Sequence, residues 1–331
     1  MKVYAVTEKQ WTEYLSDFLL DFQVYAPVKR EKTTDFEEIT PRNLDTIYYD
    51  GNTPITPLKA FFFPVKENVV NTKSPQQRLV LGVPNCDLAA LDLLDNIYLG
   101  EEFLDPAYKE NRENTIIFGK DCYQYKESCH CTAYGLTPFP AKNCDVSMSL
   151  DGGKYYLIPM SVKGEEFLEK QRITKIEAAD SLPDKIIEKR DRMVQSLKDL
   201  NKGLPDEKES RQGIERENVD LWKKHASTCV SCGACSFICP TCHCFLLVDK
   251  ENFEKVKNWD VCQFPSFAKV AAGEDPLKKL YDRLKYRYLC KFIYKPDMFK
   301  AIACTGCGRC IDTCIGKINK NDVIKEACQQ G

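Results

Sequence analysis

Two short blocks of cysteine carry the strongest chemistry in this chain. The first, CVSCGACSFICP, sets thiols at Cys229, Cys232, Cys235 and Cys239 ahead of Pro240; the second, CTGCGRCIDTC, sets them at Cys304, Cys307, Cys310 and Cys314. Both have the spacing C-x2-C-x2-C-x3-C, the bacterial ferredoxin pattern of thiolate-held 4Fe–4S cubes. Three thiolates three residues apart on a tight turn can grip three iron corners of one cube, and the fourth cysteine opens a helix that reaches the other cube. Crossed wiring therefore predicts one cluster on Cys229, Cys232, Cys235 and Cys314, and a second on Cys304, Cys307, Cys310 and Cys239. Gly233, Gly306 and Gly308 suit such turns because a residue without Cβ lets backbone come close to the cluster. Pro240 has no N–H to satisfy there, whereas the second block carries Ile315–Gly316 where the pattern usually has Pro. Four-cysteine zinc sites favour paired C-x2-C knuckles and have no use for the extra cysteine.

Two further groups of thiols are less regular. Cys86, Cys122, Cys129 and Cys131 lie in the first half of the chain; Cys242, Cys244, Cys262 and Cys290 lie between the two blocks. Each group contains the tripeptide Cys-His-Cys, at 129–131 and 242–244. Spacing leaves both groups open between a cluster and inert buried thiols, which are common. His130 and His243 could ligate metal or, more simply, hydrogen-bond to thiolate sulfur. Only Cys144 and Cys328 stand outside these four sets.

The elements that must position these thiols read as an α+β protein. Residues 1–162 form an N-terminal α/β domain, 163–225 a charged helical linker, and 226–331 a bacterial-type dicluster ferredoxin domain with an insertion at about 245–300. Strand-like runs occur at Lys2–Val6, Phe22–Ala26, Ile47–Tyr49, Ala60–Phe63, Arg78–Gly82, Thr115–Phe118 and Tyr155–Pro159. Thr7 is an N-cap candidate for a helix bearing Trp11, Tyr14, Leu15, Phe18 and Leu19 at helical spacing. Asp87–Leu99 reads as a helix after a strand, which places Cys86 in a loop at that strand's C-terminal end, where functional groups concentrate. The linker, with Pro183 opening a helix and Gly203 and Pro205 closing it, reads as a solvated hairpin between modules.

Composition narrows the function classes. The chain has 331 residues with 47 basic and 49 acidic side chains, a net charge of −2, so there is no basic excess for nucleic acid. Three histidines leave little imidazole for acid–base or hydrolytic zinc chemistry. No export signal opens the sequence and no apolar run is long enough to span a bilayer, which predicts a cytoplasmic protein with reduced thiols and no membrane partner. Neither G-x-G-x-x-G after a strand nor a P-loop is present, which disfavours a self-contained nicotinamide enzyme. A self-contained iron–sulfur oxidoreductase that uses no such nucleotide motif and a zinc-stabilised scaffold are the remaining alternatives.

Longer motifs carry a resemblance. VYAPVK at 24–29, PLKAFFFPVKE at 57–67, NCDLAALDLLD at 85–95, DCYQYKESCHC at 121–131, CPTCHC at 239–244, WDVCQF at 259–264, RYLCK at 287–291 and CTGCGRC at 304–310 look like signatures of one family. The chain resembles the iron–sulfur β subunit of soluble sulfhydrogenases (hydrogenase/sulfur reductase) and the related A subunit of anaerobic sulfite reductase. It departs from them at His130, where the family tends to carry Phe, and at Ile315, and matches only loosely over 163–225. The resemblance implies an electron-transfer subunit, with no catalytic residue of its own, inside a soluble anaerobic oxidoreductase complex. It implies a flavin- and NAD(P)H-binding partner on one side and a terminal redox partner on the other, of NiFe hydrogenase or sirohaem sulfite reductase type. It further implies a third 4Fe–4S cluster on Cys86, Cys122, Cys129 and Cys131. It makes Cys242, Cys244, Cys262 and Cys290 a motif and leaves a fourth cluster there open.

Overall fold

A computed structural model describes residues 2–70, 76–173 and 178–329 of the protein. Strand β1 (Val3–Thr7) runs into helix α1 (Glu8–Asp21), whose first turn is closed by a reciprocal cap between Thr7 and Gln10. The helix turns Trp11, Leu15 and Phe18 inward. Strands β2 (Gln23–Arg30) and β3 (Thr33–Ile39) form a hairpin. Two expected strands are absent beyond it. Ile47 makes one isolated bridge to Val28, and residues Leu58–Phe61 form a 3-10 turn. The reason lies in what is buried: Leu58, Lys59, Phe62 and Phe63 point inward, a helical spacing, whereas alternate residues would do so on a strand.

Strand β4 (Lys66–Asn68) is short; β5 (Arg78–Pro84) is apolar and buried along nearly its whole length. Helices α2 (Asn85–Leu88) and α3 (Ala90–Tyr98) follow at once, so Cys86 sits in a first helical turn and not in a loop. Helix α4 (Pro106–Glu113), capped by Asp105, leads to β6 (Thr115–Lys120). Strands β7 (Val146–Asp151) and β8 (Lys154–Pro159) meet at Gly152–Gly153, both at positive φ, the geometry of a tight two-residue hairpin. After α5 (Val162–Lys170), β9 (Ala178–Ala179) pairs with β1.

The strands assemble in the order β3-β2-β5-β6-β7-β8-β1-β9, parallel from β2 to β7 and antiparallel on both flanks. Buried Trp11, Phe18, Phe118 and Phe167 form the core on one face; Leu58, Phe62, Leu91 and Tyr108 form that on the other. Parallel strands covered on both faces present their C-terminal ends as the natural crevice. Cys86 leaves the end of β5, and Cys122 lies two residues past its neighbour β6.

The charged segment is built into the molecule on both sides and is not a solvated hairpin. Helix α6 (Asp184–Leu200) packs on the sheet through Ile186, and its Arg190 grips Asp121 through two bonds of 2.9 and 2.8 Å. Helices α7 (Glu207–Glu215) and α8 (Val219–Ala226) set Ile214, Leu221 and Trp222 into a helical core. The remainder is α9 (Ala234–Phe237), the hairpin β10 (Phe245–Asp249) and β11 (Lys255–Trp259), α10 (Leu280–Leu289), α11 (Lys295–Phe299), α12 (Arg309–Asp312) and α13 (Lys320–Gln329). Strand β11 also pairs with β4, so the inserted hairpin completes a sheet begun in the N-terminal half. No helix among the described residues is long and apolar enough to cross a membrane.

Candidate metal centres

The two cysteine blocks fold into the same turn. Gly233 and Gly308 both adopt left-handed φ (73° and 75°) and begin the short helices α9 and α12, which pack on each other. In each block the third cysteine therefore sits inside its helix and the fourth lies beyond it. Cys229, Cys232 and Cys235 of the first block and Cys310 and Cys314 of the second line one cavity, together with Arg287 and Tyr288. The Ile318 N–H donates to Cys314 Sγ at 3.3 Å.

Cys239, the fourth cysteine of the first block, does not line that cavity and lies near Cys307 of the second block. Lys291 donates to its Sγ at 3.0 Å and to Ala303 O at 3.0 Å, the residue before Cys304. A hydrogen bond from Cys242, with Lys291, Arg287 and Lys59 around it, holds the Cys239 thiol well below its ordinary range. Burial pushes Cys307 up to about 12, with Cys239 and Cys310 close enough to add to the shift. Loading iron on such thiols must displace protons.

The N-terminal thiols converge next to this second set. Burial drives Cys122 up to about 11 and Cys131 up to about 12, and each feels Cys129 as a like charge. Cys86 is raised by burial, with Asp87, Cys307 and Cys122 contributing. The Lys126 N–H donates to Cys129 Sγ at 3.4 Å. The loop carrying Cys129 and Cys131 lies flat on the second block: the His130 N–H donates to Gly306 O at 2.8 Å. A Cβ at Gly306 would strike the backbone of His130 and Cys131, and one at Gly308 the backbone of Ser128. Here the glycines are required by contact between two chain segments as well as by the turn. Buried His130 bonds through Nδ1 to Ser128 O at 2.7 Å, and its Nε2 has no partner among the described residues.

Sequence reasoning missed the cations. Lys59, Arg287, Lys291, Lys295 and Lys320 are at most 4% exposed, and among the described residues none pairs with a carboxylate. They donate instead to carbonyls, hydroxyls or sulfur: Lys59 to Cys242 O, Arg287 to Cys235 O, Lys295 to Thr241 O and Lys320 to the Tyr134 hydroxyl. Buried lysine and arginine demand a counter-charge. Cubes ligated by four thiolates carry net negative charge, so this donor set and its surroundings fit them. Arg309 is different, clamping buried Asp87 through bonds of 2.6 and 2.7 Å beside Cys86 and Cys307. Its position inside the second motif was the one signal available.

Residues 228–318 match the family model described as a 4Fe-4S dicluster domain. Over 338 aligned residues the chain is 31% identical to sulfhydrogenase 2 subunit beta of Pyrococcus furiosus, covering 96% of this chain and 97% of the relative. This chain belongs to the sulfhydrogenase β-subunit family. The resemblance drawn from its motifs is thereby borne out. As a member it is an iron–sulfur subunit with at least two 4Fe–4S clusters. Of the two unassigned cysteines, Cys144 is packed in the core under α3, and Cys328 donates to Glu209 O at 3.3 Å between α13 and α7.

Proposed function

We propose that this chain relays single electrons between a flavin-bearing, NAD(P)H-linked subunit and a terminal redox subunit of a hydrogenase/sulfur reductase complex in the cytoplasm. Three 4Fe–4S clusters would supply one-electron chemistry: on Cys229, Cys232, Cys235 and Cys314; on Cys239, Cys304, Cys307 and Cys310; and on Cys86, Cys122, Cys129 and Cys131. The reading divides the chain into an α/β module at 1–162, a connecting segment at 163–225 and a two-cluster module at 226–331.

The observation that carries it is the serial contact of the three thiol sets. Cys310 borders the cavity of the first set while belonging to the second. The N-terminal loop rests on Gly306 and Gly308 of the second block. The thiolates bind, the glycine turns bring backbone N–H groups toward sulfur, and the unpaired lysines and Arg287 balance charge where an electron would arrive. At one end of the series Cys232 is exposed. At the other, Cys122 lines an open cleft of about 620 Å³ with Tyr123, Phe139 and Arg190. Both ends can therefore face partners.

The test is metal and sulfide analysis of anaerobically purified protein, with serine variants. Cys307→Ser should remove about four irons and four sulfides, one cube's complement, and so should Cys86→Ser. Unchanged iron in Cys86→Ser would eliminate the N-terminal cluster. Zinc without sulfide in the wild type would replace the whole relay by a scaffold.

A further inference from the structure

The fold gathers a fourth set of thiols that neither ferredoxin motif uses. Cys242 and Cys244 follow the first block, Cys262 comes after β11, and Cys290 ends α10. All four line one cavity of about 200 Å³. A water needs roughly 10–15 Å³ on this scale, so the space suits a polyatomic group. Among the described residues no three cysteine, histidine or carboxylate side chains gather tightly enough to hold a single ion. These thiols surround a void and do not meet at a point.

The cavity wall has the chemistry of an anion site. Arg287, Lys291 and Lys295 line it, each at most 4% exposed and none paired with a carboxylate among the described residues. Gln263 Nε2 donates to Cys262 Sγ at 3.6 Å, and Ser236 Oγ shares a hydrogen bond with the same sulfur at 3.9 Å. His243 also lines the cavity, its Nδ1 buried without a partner among the described residues. The backbone is adapted too. Pro296 cannot donate to the carbonyl of Phe292, and the helix widens into a π segment at Cys290–Tyr294, beginning at the ligand candidate itself.

We infer that Cys242, Cys244, Cys262 and Cys290 hold a fourth 4Fe–4S cluster. Its place in the molecule gives it a role. Arg287 lines both this cavity and that of the first ferredoxin-type set, and the Cys242 N–H donates to the carbonyl of Cys239, assigned to the second, at 3.4 Å. The fourth site is thus a side branch that adjoins both C-terminal thiol sets. Its redox role rests on the relay reading above; its occupancy does not.

The two can be tested apart. Cys262→Ser and Cys290→Ser, prepared anaerobically, should each lose about four irons and four sulfides relative to the wild type, while interacting EPR signals of the two motif clusters persist on reduction. Iron and sulfide at the wild-type level in both variants, or zinc in the wild type that disappears with Cys262→Ser, overturns the inference. Should these variants fail to fold, native mass spectrometry of the Cys86→Ser chain decides. Three cubes there support the fourth site, and two overturn it. The wild-type count against that of Cys86→Ser reports separately on the N-terminal cluster.

Discussion

The Lys291 ammonium lies 3.0 Å from the Cys239 sulfur, both buried. Lys291 has no carboxylate to answer among the described residues, so its charge acts on whatever the thiolates hold. One charge at that range in a protein medium is worth a few kcal/mol. Lys291→Met should therefore lower the midpoint potential of the cluster proposed on Cys239 by about 100 mV, near two tenfold steps in its one-electron reduction constant. EPR-monitored potentiometry on anaerobic protein reads this directly, and Lys291→Arg should retain most of the wild-type value. A potential unmoved by Lys291→Met would show that the lysine only fills space. The RYLCK motif contained this residue in plain view, yet a lysine in a sequence carries no depth. With 29% of the chain charged, the natural expectation is a wet surface, and the buried few are hidden in that average.

At the scale of elements, Gly306 is the hinge between what was legible and what was not. Its turn was expected from the ferredoxin spacing. That an N-terminal loop lies against it was not, because no local pattern records which distant segment touches a turn. Gly306→Ala introduces a Cβ at φ 65° and drives it into the backbone of His130 and Cys131. The left-handed strain alone costs about 1 kcal/mol, and the clash must push the loop away. The expected result is loss of about four irons, those of the N-terminal site, with the second block still loaded; iron analysis and EPR would show it. Retention of all iron would mean the loop accommodates the methyl. Other elements were legible to the degree that their signal is local. The Thr7 cap, the α1 stripe and the strands β5 and β6 announce themselves through capping chemistry and apolar runs. The aromatic run at Ala60–Phe63 has high strand propensity but buries residues at helical spacing, so tertiary packing overrode it. The linker helices hid their apolar faces among many charges: Ile186, Ile214 and Trp222 are few per turn, and what fixes α6 is also Arg190 reaching Asp121 from far along the chain.

For the molecule as a whole, the proposed relay makes the seam between the α/β half and the two-cluster half the place where electrons would pass from one to the other. The seam is closed by the inserted hairpin pairing with β4, by Lys257 held between Glu67 and Asp105, and by the Arg309–Asp87 pair. The last lies between two thiol sets: Asp87 follows Cys86, and Arg309 sits between Cys307 and Cys310. Arg309 also donates to Pro54 O at 2.8 Å, so one side chain ties three segments together. Both partners are almost wholly buried, the regime in which removing one member leaves an uncompensated charge and costs about 3–5 kcal/mol. Arg309→Met should therefore destabilise the protein by that amount in denaturant unfolding and deplete N-terminal iron preferentially. Arg309→Met with Asp87→Asn should recover much of the stability, since no lone carboxylate remains, but not the alignment of the two sets. Cluster-to-cluster transfer, followed by rapid-freeze EPR after reduction through one end, should then stay slow in the double variant even where its stability and iron return. Were transfer restored along with stability, the pair would be only a structural clamp. Were the single variant as stable and as iron-rich as the wild type, the β4–β11 pairing and Lys257 would suffice to hold the seam.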